Sequence, residues 1–174
     1  MTREVMAGYS GPAIVPHGHR NEDRTGMLYA EDLAIGQRFA FRDYPIEEAE
    51  IIDFAKRYDP LSIHMDPVAA ANGPFGGLIA SGLQTLAIYQ RLVVEAMWTQ
   101  VAGVAGAGIE SRFLRPVRPG MTLTGHAEIA ALRHRPERNN AIVTVKSQIT
   151  DGTEQVLSVS LDAVIHSRAG HRQF

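Results

Sequence analysis

Residues 82–100 form the longest helical segment in this chain, and it is apolar nearly all round. Leu83, Leu86, Ala87, Ile88, Leu92, Val93, Ala96, Met97 and Trp98 leave it no broad polar face. A helix of that kind is wrapped by other structure rather than laid on a surface. The chain beyond it reads as strand. Residues 108–114 precede the turn signal Arg118-Pro119-Gly120, and in 122–132 Thr124, His126 and Glu128 alternate with Gly125, Ala127 and Ile129. Residues 141–150 and 154–165 are joined through Asp151-Gly152, a short-hairpin signal. In the last strand Leu157, Val159, Leu161, Ala163 and Ile165 share one face. One apolar helix and an antiparallel sheet must bury each other, which makes the fold class α+β. At 174 residues the chain fits one domain.

Ahead of the helix, residues 37–44 read as a first strand and 47–58 as a short helix. Ile51, Phe54, Ala55 and Tyr58 fall at i, i+3, i+4 and i+7, a single apolar stripe. Ile46 is a poor N-cap. Pro60 ends the helix, because the residue before a proline is pushed out of the helical region. That residue is Asp59, an acid placed where the chain leaves a helix. Asp66 is expected as the N-cap of one further turn, residues 67–72, with Pro67 at its first position. Gly73, Gly76 and Gly77 then break regular structure.

Asp59 and His64 are thus five residues apart on a segment that leads, through glycines, to the start of the long helix. An acid and a histidine at that spacing are two groups able to exchange protons with one water. The first N–H groups of a helix are unpaired and can face a developing negative oxygen. Such parts suit addition of water to, or its removal from, a polarised carbonyl compound. Read singly, Asp59 is a helix-end residue and His64 a surface or core histidine; their joint context favours a catalytic pair. Ser81 lacks a Gly-x-Ser-x-Gly elbow and reads as a cap or pocket wall rather than a nucleophile.

Three stretches resemble the MaoC-like dehydratases, relatives of the (R)-specific enoyl-CoA hydratases. They are Tyr29 to Phe39 (YAEDLAIGQRF); Asp59 to Gly82, ending Pro74-Phe75-Gly76-Gly77-Leu78-Ile79-Ala80-Ser81-Gly82; and Arg112 to Gly120 (RFLRPVRPG). The likeness spans roughly residues 29–166. It implies a hotdog fold, an antiparallel sheet wrapped around a long central helix, with two hotdogs paired and the active site near their interface. It further implies that Asp59 and His64 activate water, that the Gly82 N–H holds the thioester oxygen, and that Ser81, Gly77 and Ile79 contact substrate. The chain departs from the family where Leu61 and Ser62 replace a common Asn or Gln followed by Pro. It departs again where Ser81 replaces a common His.

The leading expectation is a hydratase or dehydratase of 2-enoyl or 3-hydroxyacyl thioesters, carried on coenzyme A or an acyl carrier protein. A hotdog thioesterase and a non-catalytic acyl-thioester-binding or partner subunit are the alternatives. No metal or cofactor is expected beyond coenzyme A as part of the substrate. His17, His19, His126, His134, His166 and His171 form no metal-ligand constellation. Arg112, Arg115 and Arg118, then Arg133, Arg135 and Arg138, are either phosphate contacts or solvated strand ends and turns. A net charge of −2 argues against general nucleic-acid binding. No apolar run is long enough for a membrane span, and the lack of cysteine suits a cytoplasmic setting. A homodimer or dimer of dimers is expected, because a lone sheet has edges to protect. Residues 1–27 read as a flexible extension, 28–167 as the hotdog domain and 168–174 as a tail.

Overall fold

The computed structural model describes residues 26–169, so most of the expected N-terminal extension (1–27) and most of the C-terminal tail (168–174) lie outside the described residues. The elements run β1 (Arg38–Ala40), β2 (Tyr44–Pro45), α1 (Glu48–Tyr58), α2 (Ser62–Met65), α3 (Pro67–Ala71), α4 (Gly82–Val93), β3 (Gly103–Phe113), β4 (Thr122–Arg135), β5 (Asn140–Thr150) and β6 (Gln155–His166). All strands pair antiparallel in the order β1-β4-β5-β6-β3, with β2 also on β4. This is the hotdog fold: a sheet curved around one helix.

The core lies between them. From α4 come Ile88, Tyr89, Leu92 and Val93; from the sheet come Ile129, Val143, Val145, Leu157 and Ile165, all buried in one cluster. The polar Tyr89 hydroxyl finds Ser147 Oγ at 3.5 Å under β5. Strand β5, expected as a strand from the sequence, alternates strictly, with Ala141, Val143, Val145, Ser147 and Ile149 inward. In β6 Leu157, Val159, Ala163 and Ile165 are buried, while Leu161 is only half-buried. The β5–β6 turn is held by Asp151 Oδ1, which accepts from the N–H groups of Thr153 and Glu154. Those bonds draw the Asp151 carboxyl down to about 2.

Several expectations need adjusting. The first strand is two short pieces, because Phe41 leaves the β1 ladder while still donating its N–H to the Gly125 carbonyl. The long helix is regular only to Val93, and Val94–Trp98 continues it with π-type turns. Nor is it wrapped on all sides by its own chain: Leu83 and Val94 are exposed. Strand β3 begins at Gly103, five residues before the predicted start, with register shifts between Gly103 and Ala105 and between Gly106 and Gly108. Glycine-rich sequence hid that extension, since glycine carries no strand pattern to read. Among the described residues no helix is long and apolar enough to cross a membrane.

Candidate active site

The segment between α1 and α4 folds over the N-terminus of the central helix. Helix α1 ends at Tyr58, and Asp59 is its C-cap, as Pro60 predicts. Where the sequence suggests irregular chain, Ser62–Met65 closes one helical turn, with the His64 N–H donating to the Leu61 carbonyl. Asp66 caps α3 as expected, its Oδ1 accepting from the N–H groups of Val68 and Ala69. The loop then returns to the body: Ile79 N–H donates to the Ile63 carbonyl and Ala80 N–H to the Val117 carbonyl. These bonds place Asp59, His64, Ile79, Ser81 and Gly82 around one point.

His64 is buried, at 5 % exposure, rather than on an open loop. Its Nδ1 lies 2.8 Å from the Ile79 carbonyl oxygen. A carbonyl only accepts, so Nδ1 carries a proton, and in the neutral form of the ring Nε2 presents a lone pair. Nε2 sits 3.5 Å from Asp59 Oδ2. That same carboxylate oxygen accepts a hydrogen bond from the Ser81 hydroxyl at 2.7 Å. Ser81 is fully buried and also caps α4, its Oγ accepting from the Leu83 N–H at 3.2 Å. One serine therefore ties the acid to the helix start. Two acceptors, Asp59 Oδ2 and His64 Nε2, stand side by side with neither donating to the other, an arrangement that a molecule with two donatable protons can bridge.

His64 opens onto a cleft of about 410 Å³ that is also lined by Ile79, Gly82, Thr85, Phe113 and Arg115. The Gly82 N–H, in the first turn of α4, has no hydrogen-bond partner among the described residues. A Cβ at Gly82 would meet the Phe113 ring at 3.2 Å, so an aromatic edge occupies the space that any other residue would need. The expected close approach at Gly82 is thus made, within this chain, by Phe113. Gly77 does not line the cleft; it lies against the Arg118 guanidinium, which donates to the Phe75 carbonyl. Arg115 stands at the cleft and pairs with Glu154 at 2.7 Å, whereas Arg112 pairs with Glu110.

Sequence reasoning misses Phe113 and Thr85, and also Gln84, which is buried two residues beyond Gly82. A signal was available for Gln84: it lies on the stripe of Ser81, Thr85, Ile88 and Leu92, where a polar residue breaks an apolar face. Among the described residues no group of three His, Cys, Asp or Glu could hold a metal ion.

Residues 31–151 match the MaoC-like domain family. The chain is 35 % identical over 117 residues to the uncharacterized protein YdeM of Bacillus subtilis, covering 66 % of this chain and 82 % of that one. It is 30 % identical over 128 residues to a 3-hydroxybutyryl-CoA dehydratase of Methylorubrum extorquens, covering 72 % and 77 % respectively. Among solved structures, the MaoC-like dehydratase from Rhodospirillum rubrum superposes with a TM-score of 0.76 at 37 % identity, over 81 % of this chain and 98 % of that one.

Proposed function

The chain belongs to the MaoC-like dehydratase family, and from that premise we propose that it adds water to a 2-enoyl thioester of coenzyme A or removes water from the 3-hydroxyacyl thioester. The observation that carries this reading is the pair of acceptors, Asp59 Oδ2 and His64 Nε2, held 3.5 Å apart by Ser81 and the Ile79 carbonyl. One water can donate a proton to each. In hydration the pair takes a proton from that water as its oxygen bonds to C3, and electron density moves through C2 onto the thioester oxygen. The unpaired Gly82 N–H is the donor for that oxygen; a preorganised donor of this kind contributes roughly 3–4 kcal/mol. The pair then returns a proton to C2, restoring the carbonyl. Acid and histidine act as a unit in these transfers. Hydration moves no electrons to a carrier, so the chemistry calls for no redox cofactor, and coenzyme A enters as part of the substrate.

A dimer accompanies this reading. Strand β3 is the far edge of the sheet, and Val104, Ile109 and Phe113 on it are each more than half exposed. An apolar edge of that length invites pairing with a second copy. Light scattering should give a multiple of 19.0 kDa at micromolar concentration; the monomer mass would contradict the pairing.

The activity is tested by mixing purified protein with enoyl-CoAs of graded length and following loss of the conjugated double bond by absorbance, with free thiol measured in parallel. Loss of absorbance without thiol release is expected. Thiol release instead would identify a thioesterase, and no change on any length would overturn the enzyme reading.

A further inference from the structure

Phe113 ends strand β3 with its side chain 52 % exposed. Its backbone is fixed, since Phe113 pairs with Leu157 of β6 and the next N–H, that of Leu114, donates to the Val156 carbonyl at 2.9 Å. Only the side-chain bonds remain free to turn. The ring is not spent on the core beneath the sheet. It stands instead against Gly82, where a Cβ would meet three of its carbons at 3.2, 3.2 and 3.3 Å. Carbon atoms in comfortable contact keep about 3.5–4.0 Å apart, so the gap between the ring and the helix start is too narrow for a methyl group.

That gap lies where the reacting atoms would sit. Gly82, Phe113 and His64 line one cleft, and the Gly82 N–H has no partner among the described residues. A thioester oxygen accepting from it would lie about 2.9 Å from the nitrogen, with its carbonyl carbon about 1.2 Å beyond. That carbon carries two groups, the sulfur and C2. C2 and C3 must both reach the Asp59–His64 pair, so the acyl end points into the cleft and the sulfur leads out of it. The atom brought beside the Phe113 ring is then C2.

The other aromatic wall of the cleft is built differently. Phe75 is also half-exposed, but it rides on the loop that holds Gly73, Gly76 and Gly77. Its carbonyl is tied to the body of the protein through the Arg118 guanidinium at 2.5 Å, a contact at the end of a long side chain. A wall of that kind can give way by a side-chain movement. The backbone under Phe113 is part of the sheet ladder and cannot. Clearance around the carbonyl end of a substrate is therefore set from the β3 side.

We propose that Phe113 is a specificity-determining residue whose ring restricts the site to acyl thioesters with no alkyl branch at C2. A hydrogen at C2 passes beside the ring, and a methyl there collides with it. This rests on the thioester reading above and deepens it by naming the substrate class, acyl groups that are straight at the carbon next to the carbonyl.

The test uses butyryl-CoA and isobutyryl-CoA, isomers of equal charge that differ only in a branch at C2 and cannot be hydrated. In calorimetric titrations wild type should bind butyryl-CoA at least about tenfold more tightly, the usual worth of one misplaced methyl group. Phe113→Ala should bring the two within about threefold, and Phe113→Leu should fall between, which guards against one misfolded variant. In turnover, the ratio of kcat/KM for crotonyl-CoA over tigloyl-CoA, its 2-methyl counterpart, should drop about tenfold or more in Phe113→Ala. A ligand-free check reads the contact itself: Gly82→Ala should lower the melting temperature less in the Phe113→Ala background than in wild type. Equal discrimination in wild type and both variants would overturn the proposal. Wild type that prefers butyryl-CoA through Phe113 yet hydrates no enoyl thioester would sink the hydratase reading and keep this one. Wild type that binds neither isomer would end both.

Discussion

Strands β3 and β5 are each 11 residues long and belong to one sheet, yet they live in different surroundings. Strand β5 pairs on both sides, with β4 and β6, and every second side chain is buried against α4. Strand β3 pairs on one side only, with β6, and is exposed along nearly its whole length. The difference separates two halves of the molecule. Around β5 the polar groups are spent on each other and the side chains on the core. Around β3 and the start of α4 some are left over: the Gly82 N–H and the Gln84 amide have no hydrogen-bond partner among the described residues, and the apolar residues of the edge strand are exposed. Stability should reside in the first region and chemistry in the second.

The strongest attempt to break that division is Asp59→Asn. Turnover should fall about 10²- to 10⁴-fold, the usual worth of a positioned acid–base group. Melting should stay close to wild type, because the Asp59 side chain is partly exposed and the Ser81 hydroxyl can still donate to an amide oxygen. A variant with near-normal turnover would remove the pair from the mechanism. His64→Ala is a less clean probe, since deleting a buried ring also opens a cavity.

On the other side, Ile129→Ala on β4, where the side chain is fully buried in the core, should cost about 2–5 kcal/mol of folding free energy. Denaturant unfolding measures this. Turnover per folded molecule should be kept; a specific activity that fell as far as in Asp59→Asn would erase the contrast.

Ser81→Ala sits where the two halves meet. It removes a hydrogen bond to Asp59 and the cap of α4 together. We expect a loss of about 1 kcal/mol from the cap and a roughly tenfold drop in kcat with KM little changed, from a loosened acid. Ser81→Thr, which keeps the hydroxyl, should recover part of the kcat if the space allows.

The smallest effect concerns the sheet alone. His126 on β4 has its pKa lowered, first by burial and then by the Arg38 guanidinium, with Glu128 opposing. The fold therefore favours the neutral ring, and the unfolded chain takes up the proton more readily. Its contribution to stability is full above about pH 6.5, the ordinary histidine value, and is lost as pH falls below that. Replacing His126 with Gln should flatten the decline in melting temperature between pH 7 and 5, and an unchanged slope would assign that decline to other groups.

Much of the local geometry of the candidate site was legible because its signals are local. Pro60 places Asp59 at a helix end, Asp66-Pro67 announces the next turn, and Ser81-Gly82 opens the central helix; each depends on neighbours within a few residues. The features that sequence reasoning misses depend on contacts across the fold. Phe113 lies 31 positions after Gly82 in sequence and fills the space beside it. His64 is buried and its ring meets the Ile79 carbonyl 15 positions on, a contact that no spacing within the motif encodes.

By itself the sequence determined the order of the main helices and strands, most of the inward face of β6 and the nearness of acid, histidine and helix start along the chain, since apolar period and turn chemistry act over short range. Tertiary structure decided the rest. It showed that Ser81 binds Asp59, that the Phe113 ring stands against Gly82, and that Gln84 is buried without a partner among the described residues. Each of these is set by which distant surfaces meet and exclude water, and that is a property of the packed chain.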